Sequence, residues 1–135
     1  MTYQEIYNTL SNTSGWQQSY REIMLLGKQL PALPEVLKTE QAKVTGCESN
    51  VWLHIELDEQ QQNLLLVGDS DTRIVKGLLA IVLAMYNGKT PTEAKQIDAY
   101  QEFESLGLIK HLSPSRGNGI KAIVDKIQKQ ITQLT

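Results

Sequence analysis

An α+β fold, with a small antiparallel sheet of about three strands packed by helices at both chain ends, is the class this sequence predicts. Two observations carry it. Strand-like patterning is confined to one central stretch, residues 51 to 68, and apolar spacing at i, i+3 and i+4 fills the segments on either side. Strands segregated from helices in this way mark α+β rather than a regular α/β alternation. At 135 residues and 41% hydrophobic content, the chain suits one domain, residues 1–135, with a real core.

Each element follows from local chemistry. Tyr3, Ile6, Tyr7 and Leu10 form the stripe of a short amphipathic helix. Ser14, with Gln17 three residues on, reads as the N-cap of the next helix. That helix places Trp16, Tyr20, Ile23, Gly27 and Leu30 on one side, and Pro31 and Pro34 end it. Residues 35–46 read as a loop with an edge strand near Lys43 to Thr45. In VWLHIELD, Val51, Leu53, Ile55 and Leu57 face one way, and Trp52, His54, Glu56 and Asp58 the other. DEQQQN is a polar turn and LLLVG the returning strand.

Asp69, Ser70 and Asp71 then stand where side chains cap a helix N-terminus and complement its dipole. The helix from about Thr72 to Tyr86 is apolar nearly all round, as the buried centre of a fold is. Asn87-Gly88 stops it. Thr90, Pro91 and Glu93 start another with an N-cap, a proline at N1 and a capping-box glutamate. A short helix around Tyr100 to Leu106 ends at Gly107. Ser113-Pro114 opens the last helix, striped by Ile120, Ile123, Val124, Ile127, Ile131 and Leu134.

Composition excludes several function classes. Thirteen basic against fifteen acidic residues leave a net charge of −2, without the basic excess of a nucleic-acid binder. No polybasic stretch addresses an anionic membrane surface. The longest apolar run, LLAIVLAMY, is far shorter than the roughly 20 residues that span a bilayer. The N-terminus shows no secretory pattern, and one cysteine forms no internal disulfide, so a reducing, cytoplasmic setting is expected.

Gly88-Lys89-Thr90 resembles the tail of a phosphate-binding loop. Leu83 stands where the first glycine belongs, however, and a helix precedes it instead of a strand. His54 and His111 are the only histidines, too few for a zinc signature, and one cysteine cannot hold an iron–sulfur cluster alone. No metal is expected. No Gly-x-Ser-x-Gly elbow is present.

Two residues remain. Arg116 sits in the first turn of the last helix, where a cation opposes the dipole. It is either a solvated surface arginine or a partner for a carboxylate or an anionic sulfur. Cys47 is either a small buried hydrophobe or a presented thiol. Gly46 before it, and the polar Glu48, Ser49 and Asn50 after it, favour a loop over deep core. The reactive species of a presented thiol is the thiolate.

Gly46-Cys47-Glu48-Ser49, followed by Val51-Trp52-Leu53, resembles the signature of the SufE/CsdE sulfur-acceptor family. Gly68-Asp69-Ser70-Asp71 with Ile74-Val75-Lys76-Gly77-Leu78 resembles its second block. Leu106-Gly107-Leu108, Leu112-Ser113-Pro114-Ser115-Arg116 and Gly119 resemble its third, and Trp16 to Pro31 its early helix. The likeness runs from about residue 14 to 125 in order and spacing.

The resemblance implies a fold related to the IscU-type scaffold, with the cysteine on a loop that is sheltered or swung outward. It implies a sulfur-transfer partner rather than an enzyme. Sulfur would come from a pyridoxal-phosphate cysteine desulfurase, SufS-like or CsdA-like, onto Cys47. It would pass to an iron–sulfur scaffold or to another recipient, such as a tRNA-modification branch. No cofactor of its own is implied: the persulfide is cargo and the pyridoxal phosphate belongs to the partner. The expected site is Cys47 as acceptor, with Gly46, Glu48, Ser49, Trp52, Asp69, Asp71 and Arg116 in supporting or partner-binding roles. A monomer or weak dimer is expected. A stand-alone thiol enzyme is the alternative, although no obvious base stands beside Cys47; an inert thiol in a binding module is a third reading.

Overall fold

The first helix, α1 (Tyr3–Ser11), begins at a capping box: Thr2 Oγ1 accepts the Glu5 N–H at 3.2 Å, and the Glu5 carboxylate accepts the Thr2 N–H at 3.0 Å. A computed structural model describes residues 2–46 and 48–134. The second helix, α2 (Trp16–Gln29), departs from the capping that the sequence pattern predicts. Gly15, at φ +140°, is its N-cap and supplies no side-chain acceptor. Ser14 stands one residue further out, and its N–H and hydroxyl both donate to Gln18 Oε1, at 2.8 and 2.9 Å.

The sheet among the described residues has two strands, β1 (Val51–Leu57) and β2 (Leu64–Ser70). They pair antiparallel with Val51 opposite Ser70 and Leu57 opposite Leu64. Val51, Leu53, Leu64 and Leu66 turn inward and are buried, whereas Ile55 and Leu57 are only half-buried. The expected third strand is reduced to one bridge, Lys43 with Trp52. Val44 N–H still bonds Val51 C=O and Leu53 N–H bonds Ala42 C=O, each at 2.8 Å. The Lys43 N–H, however, turns back to the Thr39 and Glu40 carbonyls, so a tight turn cuts the strand short.

The outer edge of β2 is closed by the chain beyond the next helix, α3 (Arg73–Tyr86). Asn87 Oδ1 accepts the Leu66 N–H at 2.7 Å, and its Nδ2 donates to the Leu66 carbonyl at 3.1 Å. Gly88 N–H and Lys89 C=O complete the pairing on Leu64, at 3.0 and 2.8 Å. One side chain thus stands in for a strand and blunts an edge open to aggregation.

Helix α3 is the centre, with Ile74, Leu78, Leu79, Ile81 and Val82 among its buried residues. It crosses α2 at two glycines. A Cβ on Gly77 would run into the Ile23 carbonyl, and one on Gly27 would come within 2.9 Å of the Gly77 nitrogen. No side chain caps α3; Thr72 is its N-cap and makes no cap bond, so the predicted capping by Asp69, Ser70 and Asp71 is not found. Asp69 and Ser70 lie in β2 instead. Two short helices follow, α4 (Pro91–Lys95), with the expected Thr90–Glu93 box, and α5 (Ala99–Ser105), capped by Asp98. The last helix, α6 (Pro114–Leu134), buries Ile120, Ile123, Ile127 and Ile131. Val124 is half-buried and Leu134 exposed, off the stripe predicted for them.

Candidate functional site

The Val44–Val51 hydrogen bond closes the segment that holds the described residues 45–46 and 48–50. Gly46 takes φ +94°, a backbone region cheap only for glycine. Cys47 itself lies outside the described residues, so the site is built from its neighbours.

Both flanks of the loop are pinned. On the incoming side, Lys126 of α6 donates to the Gln41 and Lys43 carbonyls at 2.7 and 2.9 Å, and its burial lowers the ammonium pKa. On the outgoing side, the Asn50 N–H and Nδ2 donate to the two Asp71 carboxylate oxygens at 3.2 and 2.9 Å. Asp71 N–H returns a bond to the Asn50 carbonyl, which also accepts from Ser70 Oγ at 2.8 Å. Thr72 Oγ1 reaches Ser49 Oγ at 2.9 Å. The loop therefore hangs on the junction between β2 and α3.

Glu48 and Ser49 line a cavity of about 130 Å³. Its floor is apolar and buried: Val75 and Leu78 from α3, Ile120 and Ile123 from α6. Ser115 and Arg116, from the first turn of α6, and Gly119 complete the lining. That turn is fixed by Ser113, whose hydroxyl accepts the Arg116 N–H at 3.4 Å and whose carbonyl accepts the Gly117 N–H at 3.0 Å. Pockets for drug-sized ligands usually hold about 300 Å³ or more. This recess is too small for a multi-ring cofactor.

The predicted site residues divide into two groups. Glu48, Ser49 and Arg116 share the cavity, and Gly46 and Asp71 shape its loop. Trp52 and Asp69 do not line it. They sit opposite each other on the outer face of the sheet, under the segment around Leu33 and Lys38. Lys38 Nζ lies 5.0 Å from the Trp52 ring centroid. Asp69, only 4% exposed, accepts the Leu33 N–H at 2.9 Å and pairs with Lys76 at 3.2 Å and Lys38 at 3.7 Å. Burial alone would raise its pKa. The Leu33 and Ser70 amides, helped by Lys76, outweigh that and hold the carboxyl below its ordinary value.

Thr72 and Lys126 are polar residues of the site to which sequence patterns gave no role; a threonine at a helix start, beside an acceptor loop, was the available signal for the first. The floor residues were legible only as core. His54 Nε2 bonds the Leu37 carbonyl and His111 stacks on Trp16 at 4.9 Å, so both histidines have structural partners. Among the described residues no group of His, Cys, Asp or Glu is placed to hold a metal ion, and no helix is long and apolar enough to cross a membrane.

Comparison with known proteins bears on the family and the fold. The family described as SufE, the Fe-S metabolism associated domain, matches residues 4–131. The chain is 44% identical over 117 residues to an uncharacterized SufE-like protein of Rhizobium meliloti, covering 85% of this chain and 84% of that one. It is 39% identical over 127 residues to the sulfur acceptor protein CsdE of Escherichia coli, covering 94% of this chain and 86% of that one. A solved structure, the solution structure of a hypothetical protein from Thermus thermophilus, superposes with a TM-score of 0.79 over 99% of this chain and 98% of that one. At 14% identity it speaks for the fold alone.

Proposed function

This chain belongs to the SufE family of Fe-S metabolism associated domains, and from that premise we propose that it is a sulfur acceptor working through Cys47. The observation that carries the reading is the cavity: the residues just after the chain's only cysteine line a small recess that also takes Arg116 and four apolar residues of α3 and α6 into its lining.

The donor is the cysteine persulfide of a pyridoxal-phosphate desulfurase, SufS-like or CsdA-like. The Cys47 thiolate attacks the outer sulfur of that persulfide. The old S–S bond breaks, the donor cysteine leaves as thiolate, and the sulfane sulfur ends on Cys47 as a new persulfide. No net oxidation occurs, because sulfur moves with its oxidation state unchanged. Rate depends on thiolate fraction, nucleophilicity and access. A chain with one cysteine has no second thiol to discharge its cargo as an internal disulfide. By taking the sulfur away, the acceptor speeds the desulfurase. The protein holds no cofactor of its own and hands the sulfur to an iron–sulfur assembly scaffold. A different sulfur recipient is the second reading.

Incubation with a desulfurase and cysteine should add one sulfur atom to the protein by intact mass, and Cys47→Ser should add none. Equal loading of that variant sinks the proposal. Offering the loaded protein to a scaffold then separates the two recipients by where the sulfur mass appears.

A further inference from the structure

A lysine ammonium carries three donors. That of Lys126, a half-buried residue of α6, donates to the Gln41 carbonyl at 2.7 Å and to the Lys43 carbonyl at 2.9 Å. Burial lowers its pKa, with no carboxylate to offset the shift. The charge therefore serves backbone carbonyls that lie 85 and 83 positions away in the chain.

Beside those carbonyls, Ala42 and Val44 are buried in the core. Val44 N–H bonds the Val51 carbonyl and Leu53 N–H bonds the Ala42 carbonyl, each at 2.8 Å. The strip from Gln41 to Val44 is thus held on two sides, by β1 and by α6. Beyond it the chain keeps to α6. A Cβ placed on Gly46 would come 3.4 Å from the Ala122 Cβ, so the Gly46 backbone passes close over Ala122. Ala122 and Lys126 stand four apart and share a face of the helix. Gly119 and Ser115, next on that face towards the helix start, line the cavity together with Glu48 and Ser49. One face of α6 therefore guides the incoming chain from Lys126, past Ala122, to the cavity. Cys47 follows Gly46 and precedes Glu48 on that course.

We propose that Lys126 is a positioning residue for sulfur transfer: by tying the Gln41 and Lys43 carbonyls to α6, it fixes the register in which the incoming chain reaches the acceptor loop. The inference rests on the sulfur-acceptor reading and adds to it a residue that acts through the backbone. Attack on a sulfur–sulfur bond depends on placement, and a misplacement of about 1 Å at a reacting group can cost roughly 10²-fold in rate.

Two measurements on the full-length chain test it, for wild type, Lys126→Met, Lys126→Arg and Asn87→Ala. The first needs no desulfurase: hydrogen exchange of the Val44 and Leu53 amides. Losing a hydrogen bond to a charged donor is enough to shift a local opening equilibrium about tenfold. Lys126→Met, which keeps the stem and loses the donors, should speed both amides by about that much, and Lys126→Arg should restore them. The second is the single-turnover rate of sulfur loading, by intact mass, against the concentration of a persulfide-loaded cysteine desulfurase. Lys126→Met should lower the maximal rate about tenfold and leave the half-saturating concentration unchanged, with rescue by Lys126→Arg. Asn87→Ala loses hydrogen bonds at the far edge of β2 and should load at the wild-type maximal rate. An unmoved maximal rate in Lys126→Met, a change confined to half-saturation, failure of the arginine to rescue, or an equal fall in Asn87→Ala overturns the proposal. If Lys126→Met does not fold by circular dichroism, Lys126→Gln decides on the same two readings, and an unmoved maximal rate there overturns it. Absent loading of the wild type sinks the acceptor reading, whereas normal wild-type loading with an unmoved Lys126→Met rate sinks only the role of Lys126.

Discussion

Replacing Asp69 with alanine removes an acceptor that three parts of the chain share. The Leu33 N–H, only 2.9 Å away on a residue 7% exposed, loses its partner. An unsatisfied buried donor costs roughly 1–3 kcal/mol. Lys76, at 3.2 Å, loses an ion pair whose carboxylate side chain is only 5% exposed. Breaking a buried pair costs roughly 3–5 kcal/mol, but the lysine can turn to solvent and the two losses overlap. We expect about 3 kcal/mol in total, a large share of the roughly 5–15 kcal/mol that holds a domain folded. Asp69→Asn keeps an oxygen for Leu33 and should cost about half as much. The carboxyl's pKa lies below its ordinary value in the fold. Its contribution is therefore complete above the unfolded value, near 3.9, and is lost as pH falls through the folded one. Urea unfolding at neutral pH and at a series of acid pH values measures both effects. In wild type the acid limb should fall, and in Asp69→Asn it should be flatter. A cost below about 1 kcal/mol for Asp69→Ala, with an unchanged acid limb, would refute the argument.

Other substitutions test separate parts of the fold. Gly77→Ala drives a methyl into the Ile23 carbonyl at the α2–α3 crossing and should lower stability by about 2–3 kcal/mol, whereas Gly117→Ala, in a helix with nothing within 4 Å, should raise it by about 0.5–1 kcal/mol; thermal melts of the pair should move in opposite directions. Asn87→Ala uncovers the Leu66 N–H and carbonyl, so we expect a loss of about 1–2 kcal/mol in urea and faster aggregation by light scattering. Ile123→Ala hollows the cavity floor; it should cost about 3 kcal/mol and shorten the lifetime of the loaded sulfur under dithiothreitol, read by intact mass.

Local chemistry made much of the fold legible. The Thr90 box, the Asn87-Gly88 stop and the strand at VWLHIEL each act over a few residues, and each appears where the pattern placed it, although the strand's buried face fades after Leu53. The Ser14 cap was misread because a pattern of residue types does not reveal that Gly15 takes φ +140° and moves the helix start by one residue. The third strand was half right: its bridge exists, but the turn at Thr39–Lys43 competes for the same amides. Asp69 was misassigned for a different reason. An acid before a helix looks like a cap, and only the fold reveals that Lys76, Lys38 and the Leu33 amide, from three separate places, converge on it.

By itself, then, the sequence determined the α+β class, most helix limits, the glycine that precedes the lone thiol, and the family. Those depend on contacts between near neighbours or on motifs read in order. Tertiary structure alone decided which of the polar residues share a cavity. Glu48 and Arg116 stand 68 positions apart in the chain, yet both line one recess, because α6 packs its isoleucine stripe against α3 beneath the loop. No local propensity encodes that meeting; burial of the two helices' apolar faces against each other brings it about.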